Sequence, residues 1–119
     1  PENINGGLIV TADKGDKATE ANVNNYGILN AVETIEFTAV DGVINSDTVN
    51  GKDVIMQAIE QEFENILAKD SVTLNGDRIH GQNITQNTEA DGDLIYTMFD
   101  VIIRHLNGEY KKLMQLIWR

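Results

Sequence analysis

Apolar and polar positions alternate with two different periods along this chain. Over residues 52–69, Val54, Ile55, Ala58, Ile59, Phe63, Ile66 and Leu67 recur at three- and four-residue steps. Glu60, Gln61, Glu62 and Glu64 occupy much of the other side, so the stretch predicts one amphipathic helix. Asn50 or Gly51 can cap its start, Asp53 suits its positive end and Lys69 its negative end. Elsewhere the period is two. Thr34 to Val40 alternates with Ile35, Phe37 and Ala39 on one face; Asp41-Gly42 and then Val43-Ile44 follow, which predicts a hairpin. Val72-Thr73-Leu74, Asn75-Gly76 and Asp77-Arg78-Ile79 repeat that signal.

The punctuation supports reversals. Six of the ten glycines directly follow Asn or Asp, at Gly6, Gly42, Gly51, Gly76, Gly92 and Gly108. Such pairs adopt the positive φ of tight turns. Over residues 94–119 two readings stand. A turn at Asn107-Gly108 would oppose Val101 to Met114, Phe99 to Leu116, Ile102 to Leu113 and Met98 to Ile117, in β-branched and aromatic strands. The alternative is a pair of helices, the first ended by Gly108. The polar residues 1–7 read as a flexible arm, Leu8-Ile9-Val10 as a short edge strand, and Thr11 to Asn25 as a long loop or a frayed helix. Internal repeats are not evident. The expectation is therefore an α+β fold, with an antiparallel sheet of short-turn hairpins packed on the helix at 52–69, in a single domain over residues 8–119.

Length and composition narrow the picture. A chain of 119 residues is one domain's worth, and 41% apolar content is ordinary for a folded protein. There is no run of 18 apolar residues, so no membrane span is expected, and the start Pro-Glu-Asn-Ile-Asn predicts no signal peptide. Cysteine is absent, which excludes disulfides, thiolate metal sites and cysteine nucleophiles, and leaves the compartment open. The net charge of −10 is unevenly spread. Residues 1–100 hold 18 acids and five bases, whereas residues 101–119 hold Arg104, Lys111, Lys112 and Arg119 against Glu109 alone. The acidic body argues against nucleic acid as a partner, while the cationic end could meet an acidic surface, another copy's included.

Candidate chemistry is sparse. Asn87, Glu89, Asp91-Gly92 and Asp93 place oxygen ligands at alternate positions, as a calcium loop does, but Met98 stands where the bidentate Glu belongs. His80 and His105 have no second His at metal-ligand spacing. Ser46 and Ser71 lack a nucleophile elbow, and no glycine-rich phosphate loop occurs. No catalytic residue, metal or cofactor is assigned. Tyr110, Lys111, Lys112, Trp118 and Arg119 combine aromatic and cationic character and are the candidate interaction residues.

The expected function is accordingly a non-enzymatic structural, assembly or protein-interaction module, with other subunits or copies of itself as partners. Its Asn-rich, Cys-free composition would suit a virion head or tail accessory component. An apolar helix followed by hairpins is similar to the nuclear transport factor-like cone folds, although residues 1–34 do not supply their opening helices. The second expectation is a small-molecule or enzymatic cavity in such a helix-on-curved-sheet fold, with Asp100, which interrupts an otherwise apolar strand, or His105 as its acid–base group. A third is an acidic decoy for a basic partner.

Overall fold

The computed structural model describes residues 2–16, 20–86, 93–97, 100–107 and 112–116. They form strands and turns, with no helix among them. The strands are β1 (Glu2–Ile4), β2 (Leu8–Asp13), β3 (Asn22–Ala31), β4 (Ile35–Val40), β5 (Val43–Gly51), β6 (Val54–Gln57), β7 (Glu60–Ala68), β8 (Val72–Asn75), β9 (Arg78–Gln86), β10 (Asp93–Thr97), β11 (Asp100–Asn107) and β12 (Lys112–Leu116). Odd-numbered strands make one six-stranded sheet and even-numbered strands the other. All the pairings are parallel. The chain thus winds from one sheet to the other and back, one coil per pair of strands, as a parallel β-solenoid. No helix among the described residues is long and apolar enough to cross a membrane.

The α+β expectation is overturned, and the sequence of residues 52–69 shows why. Val54, Met56 and Ala58 point inward, then Gln61 and Phe63, then Ile66 and Ala68. Alternation runs with period two inside each straight segment and skips one residue at each corner. Steps of two broken by steps of three imitate a helical stripe. The three glutamates betray the true period, because Glu60, Glu62 and Glu64 all face out from β7 while Gln61 and Phe63 between them are buried.

The hairpins are corrected too. Strands do end and begin on either side of Asp41-Gly42 and of Asn75-Gly76, but the flanking strands lie in opposite sheets. Each strand pairs with the one two elements away. The Asn107-Gly108 register is likewise replaced: β12 pairs with β10, placing Met114 beside Ile95, and β11 pairs with β9, placing Val101 beside Ile79. β1 lies within the stretch read as an arm and runs beside β3, with Glu2 next to Leu29.

The Asx–Gly pairs serve corners rather than hairpin turns. Asp41 itself adopts φ 51°, and among the described glycines only Gly15 has a positive φ. Gly42 is needed for another reason: a Cβ there would run into the carbonyl oxygen of Ala21 in the coil behind it. That oxygen is already engaged, accepting from Val43 N–H at 2.9 Å. Gly76 meets the Ala58 carbonyl in the same way. Stacked corners leave no room for a side chain where one backbone crosses the next.

Equivalent residues of successive coils lie side by side and form columns. Val43 sits beside Glu60, Glu60 beside Arg78 and Arg78 beside Asp100, steps of 17, 18 and 22 residues. This varying step is what hides the repeat from the sequence. Between the sheets the columns are apolar. Leu8, Ile35, Val54, Val72 and Leu94 form one; Leu29, Val49, Ile66, Ile84 and Leu106 form another. The smallest extent of the molecule is 19 Å, room for two sheets and one shared layer of side chains between them.

Candidate functional site

The outward face of the odd-numbered sheet carries a groove of about 490 Å³. Its shape follows from a bend within each long strand. In β5 the inward residues are Ile44, Ser46, Val49 and Gly51, so Asp47 and Thr48 both fall on the outer side of a kink. β7 repeats this at Glu64 and Asn65. The bend folds the sheet, and the groove runs along the solenoid axis. Asn45, Glu62, His80 and Ile102 flank one side and Asp47, Glu64, Gln82 and Arg104 the other.

The bends are held by a ladder of side-chain amides. Asn65 Nδ2 donates to Thr48 Oγ1 at 3.0 Å, and Asn83 Nδ2 donates to Asn65 Oδ1 at 3.1 Å. One coil earlier, Asn25 Nδ2 donates to Ser46 Oγ at 3.2 Å and to the Thr48 carbonyl at 3.1 Å. Its Oδ1 accepts from Gly27 N–H at 3.2 Å, and the β3–β5 register shifts between Asn25 and Ile28. That bulge leaves Tyr26 at the end of the groove, 85% exposed. Stacked amides suit a parallel solenoid because each serves as donor to one neighbour and acceptor to the other.

Charge is graded along the groove. Asp47, Glu62 and Glu64 stand on β5 and β7, and His80 and Arg104 on β9 and β11. Asp100, on the last odd strand, is set between two bases: His80 Nε2 lies 3.0 Å from its Oδ1, and Arg78 Nε lies 3.7 Å from its Oδ2. An acid interrupting an apolar run needs solvent or a partner; Asp100 has both, with its side chain 55% exposed.

The candidates from sequence are dispersed. Tyr110, Lys111, Trp118 and Arg119 lie outside the described residues; Lys112 opens β12 beside Asp93, with its side chain outside them. Asn87, Glu89, Asp91 and Gly92 also lie outside, as does Met98. Asp93 N–H is bonded to Ser71 Oγ at 3.2 Å. Ser46 is buried, its hydroxyl accepting from Asn25, and His105 is exposed on β11 in the column of Thr48, Asn65 and Asn83. Among the described residues no three His, Cys, Asp or Glu side chains could hold a metal ion. Asp47, Glu62, Glu64, Gln82 and Tyr26 were not singled out by sequence reasoning. The alternation of Glu60, Glu62 and Glu64 was the available signal for the acidic wall. The groove as it stands offers carboxylate acceptors at one end, cationic donors at the other and an exposed aromatic ring. Comparisons with family models, with curated proteins and with solved structures give no match to this chain.

Proposed function

We propose that the chain is a non-enzymatic structural module that assembles with other protein subunits, copies of itself first among them. One observation carries this reading: the terminal strands of both sheets present hydrogen-bonding edges that nothing in the described residues covers. β2 is the sharpest case. It runs Leu8-Ile9-Val10-Thr11-Ala12 before its first charge, without proline or bulge, and Ile9 is 71% exposed. Edges of this kind recruit further strands unless they are blunted. A solenoid also propagates readily, because each coil needs only its neighbours.

Sedimentation over a concentration series at low salt tests the proposal. The expected result is an average mass that climbs with concentration and falls back when salt is raised. A strict monomer at high concentration and low salt overturns it.

A second reading, contact with a basic partner along the groove, is favoured by the outward carboxylates Asp47, Glu62 and Glu64. Polylysine binding that disappears in the doubly substituted E62Q/E64Q chain, with native mass unchanged, would separate it from assembly.

A further inference from the structure

We infer that copies of this chain stack head to tail, the last coil of one continuing into the first coil of the next as an open polymer. This deepens the assembly reading and rests on it. The sequence is charged unevenly toward the two ends of the solenoid: residues 1–42, the stretch that includes β1 to β4, hold seven acids against two bases, whereas residues 100–119, the stretch that includes β11 and β12, hold four bases against two acids. Opposite ends therefore attract, while two first-coil ends repel. A translated copy also keeps every strand parallel, as in the coils already formed. A contact between unlike ends does not close on itself, so it grows.

The backbone points the same way. In a parallel ladder a residue's N–H and C=O face the same neighbour, and alternate residues face opposite neighbours. Leu8 N–H donates forward to the Thr34 carbonyl at 2.9 Å, as Ile35 N–H does to Asp53 and Val54 N–H to Ser71. Ile9 and Thr11 consequently face backward, out of the first coil. In the other sheet Asp100 N–H points back to the Asp77 carbonyl at 3.0 Å, so Val101 and Ile103 face forward, out of the last coil. Donors and acceptors of both sheets meet when β11 and β12 of one copy approach β1 and β2 of the next.

Ile9→Pro tests this directly. Proline there removes a donor that the β2–β4 ladder does not use, and edge strands tolerate it on the solvent side. The variant should keep the far-UV circular dichroism and urea midpoint of the natural chain, yet fail to elongate. Its last coil remains competent, so small amounts added to the natural chain should cap growing ends and lower the average mass well beyond dilution. Six coils at about 4.8 Å predict an axial repeat of roughly 29 Å per copy in electron micrographs. Should Ile9→Pro prove unfolded, Arg104→Glu on the exposed face of β11 serves instead; it cancels the net positive charge of the sequence from 100 to 119, and should weaken elongation at least severalfold at low salt and little at high salt. A closed dimer, or elongation unaffected by Ile9→Pro and Arg104→Glu, overturns head-to-tail stacking while leaving self-association standing. A chain that stays monomeric defeats both.

Discussion

Gln61 is a polar residue in an interior column otherwise made of Val23, Ile44, Ile79 and Val101. It is only 1% exposed, and replacement by Leu is the obvious way to make the column uniform. The structure predicts that this substitution weakens the protein. The Gln61 amide nitrogen lies 2.7 Å from the Asn75 carbonyl, 3.2 Å from that of Met56 and 3.4 Å from that of Ala58. All three neighbours are acceptors, so the nitrogen rather than the oxygen must face them. An amide has two hydrogens to share, so two bonds are lost on mutation, at roughly 1–1.5 kcal/mol each in a dry site. Against this, Oε1 is buried without a partner, and removing it returns about 1 kcal/mol. The net expectation for Gln61→Leu is a loss of about 1–2 kcal/mol. With a urea m-value of about 2 kcal/mol/M, the midpoint should fall by about 0.5–1 M. Gln61→Glu should be worse, since it aims a buried carboxylate at three carbonyls. A Leu variant as stable as the natural chain, or more so, would mean that the amide does not hold the corner, and the reasoning would fail.

Two further outcomes follow from the packing. Phe63 lies directly over Gly81, where an added Cβ would meet the ring, so Gly81→Ala should cost about 1–3 kcal/mol by overpacking. Phe63→Leu in the same chain should recover part of that loss, and a double-mutant cycle by urea unfolding reads the coupling. Asn65→Ala removes the middle rung of the amide ladder, one bond given and one received, for about 1–2 kcal/mol by thermal or urea unfolding; Asn65→Asp, which keeps the acceptor, should fall between.

What the sequence discloses here is strand position more than strand partnership. The alternation from Ile35 to Val40 and the run Val72-Thr73-Leu74 lie where strands form, and Asp41-Gly42 and Asn75-Gly76 mark real changes of direction. Yet a sharp corner between two sheets and a hairpin within one use the same residues. The deciding interactions lie 17 to 27 residues away, as between Val43 and Glu60 or Glu2 and Leu29, and the spacing changes from coil to coil. The helix expected over 52–69 fails because the inward phase advances by an extra residue at the Ala58–Gln61 corner and again at the Phe63–Ile66 bend within β7. The groove was hidden for the same reason. Asp47, Glu64, Gln82 and Arg104 share a wall only because one bend recurs in four strands. No local motif marks any of them.

Coiling does preserve one thing the sequence states openly, which is order. In most folds the two ends of a chain return to a common body, and a charge contrast between them is averaged out. A solenoid converts sequence position into axial position, so β1 to β4, in the acidic opening of the sequence, and β11 and β12, in its basic close, lie at opposite ends of the stack. Their separation, five strand spacings or roughly 24 Å, exceeds two Debye lengths at 0.1 M salt, too far for the ends of one copy to neutralise each other. A second copy in strand contact, at about 4.8 Å, lies well inside that screening distance. The same contrast that contributes little to the fold of a single chain therefore acts at full strength between chains. That difference in range is why added salt should dissolve the polymer at concentrations that leave each solenoid intact.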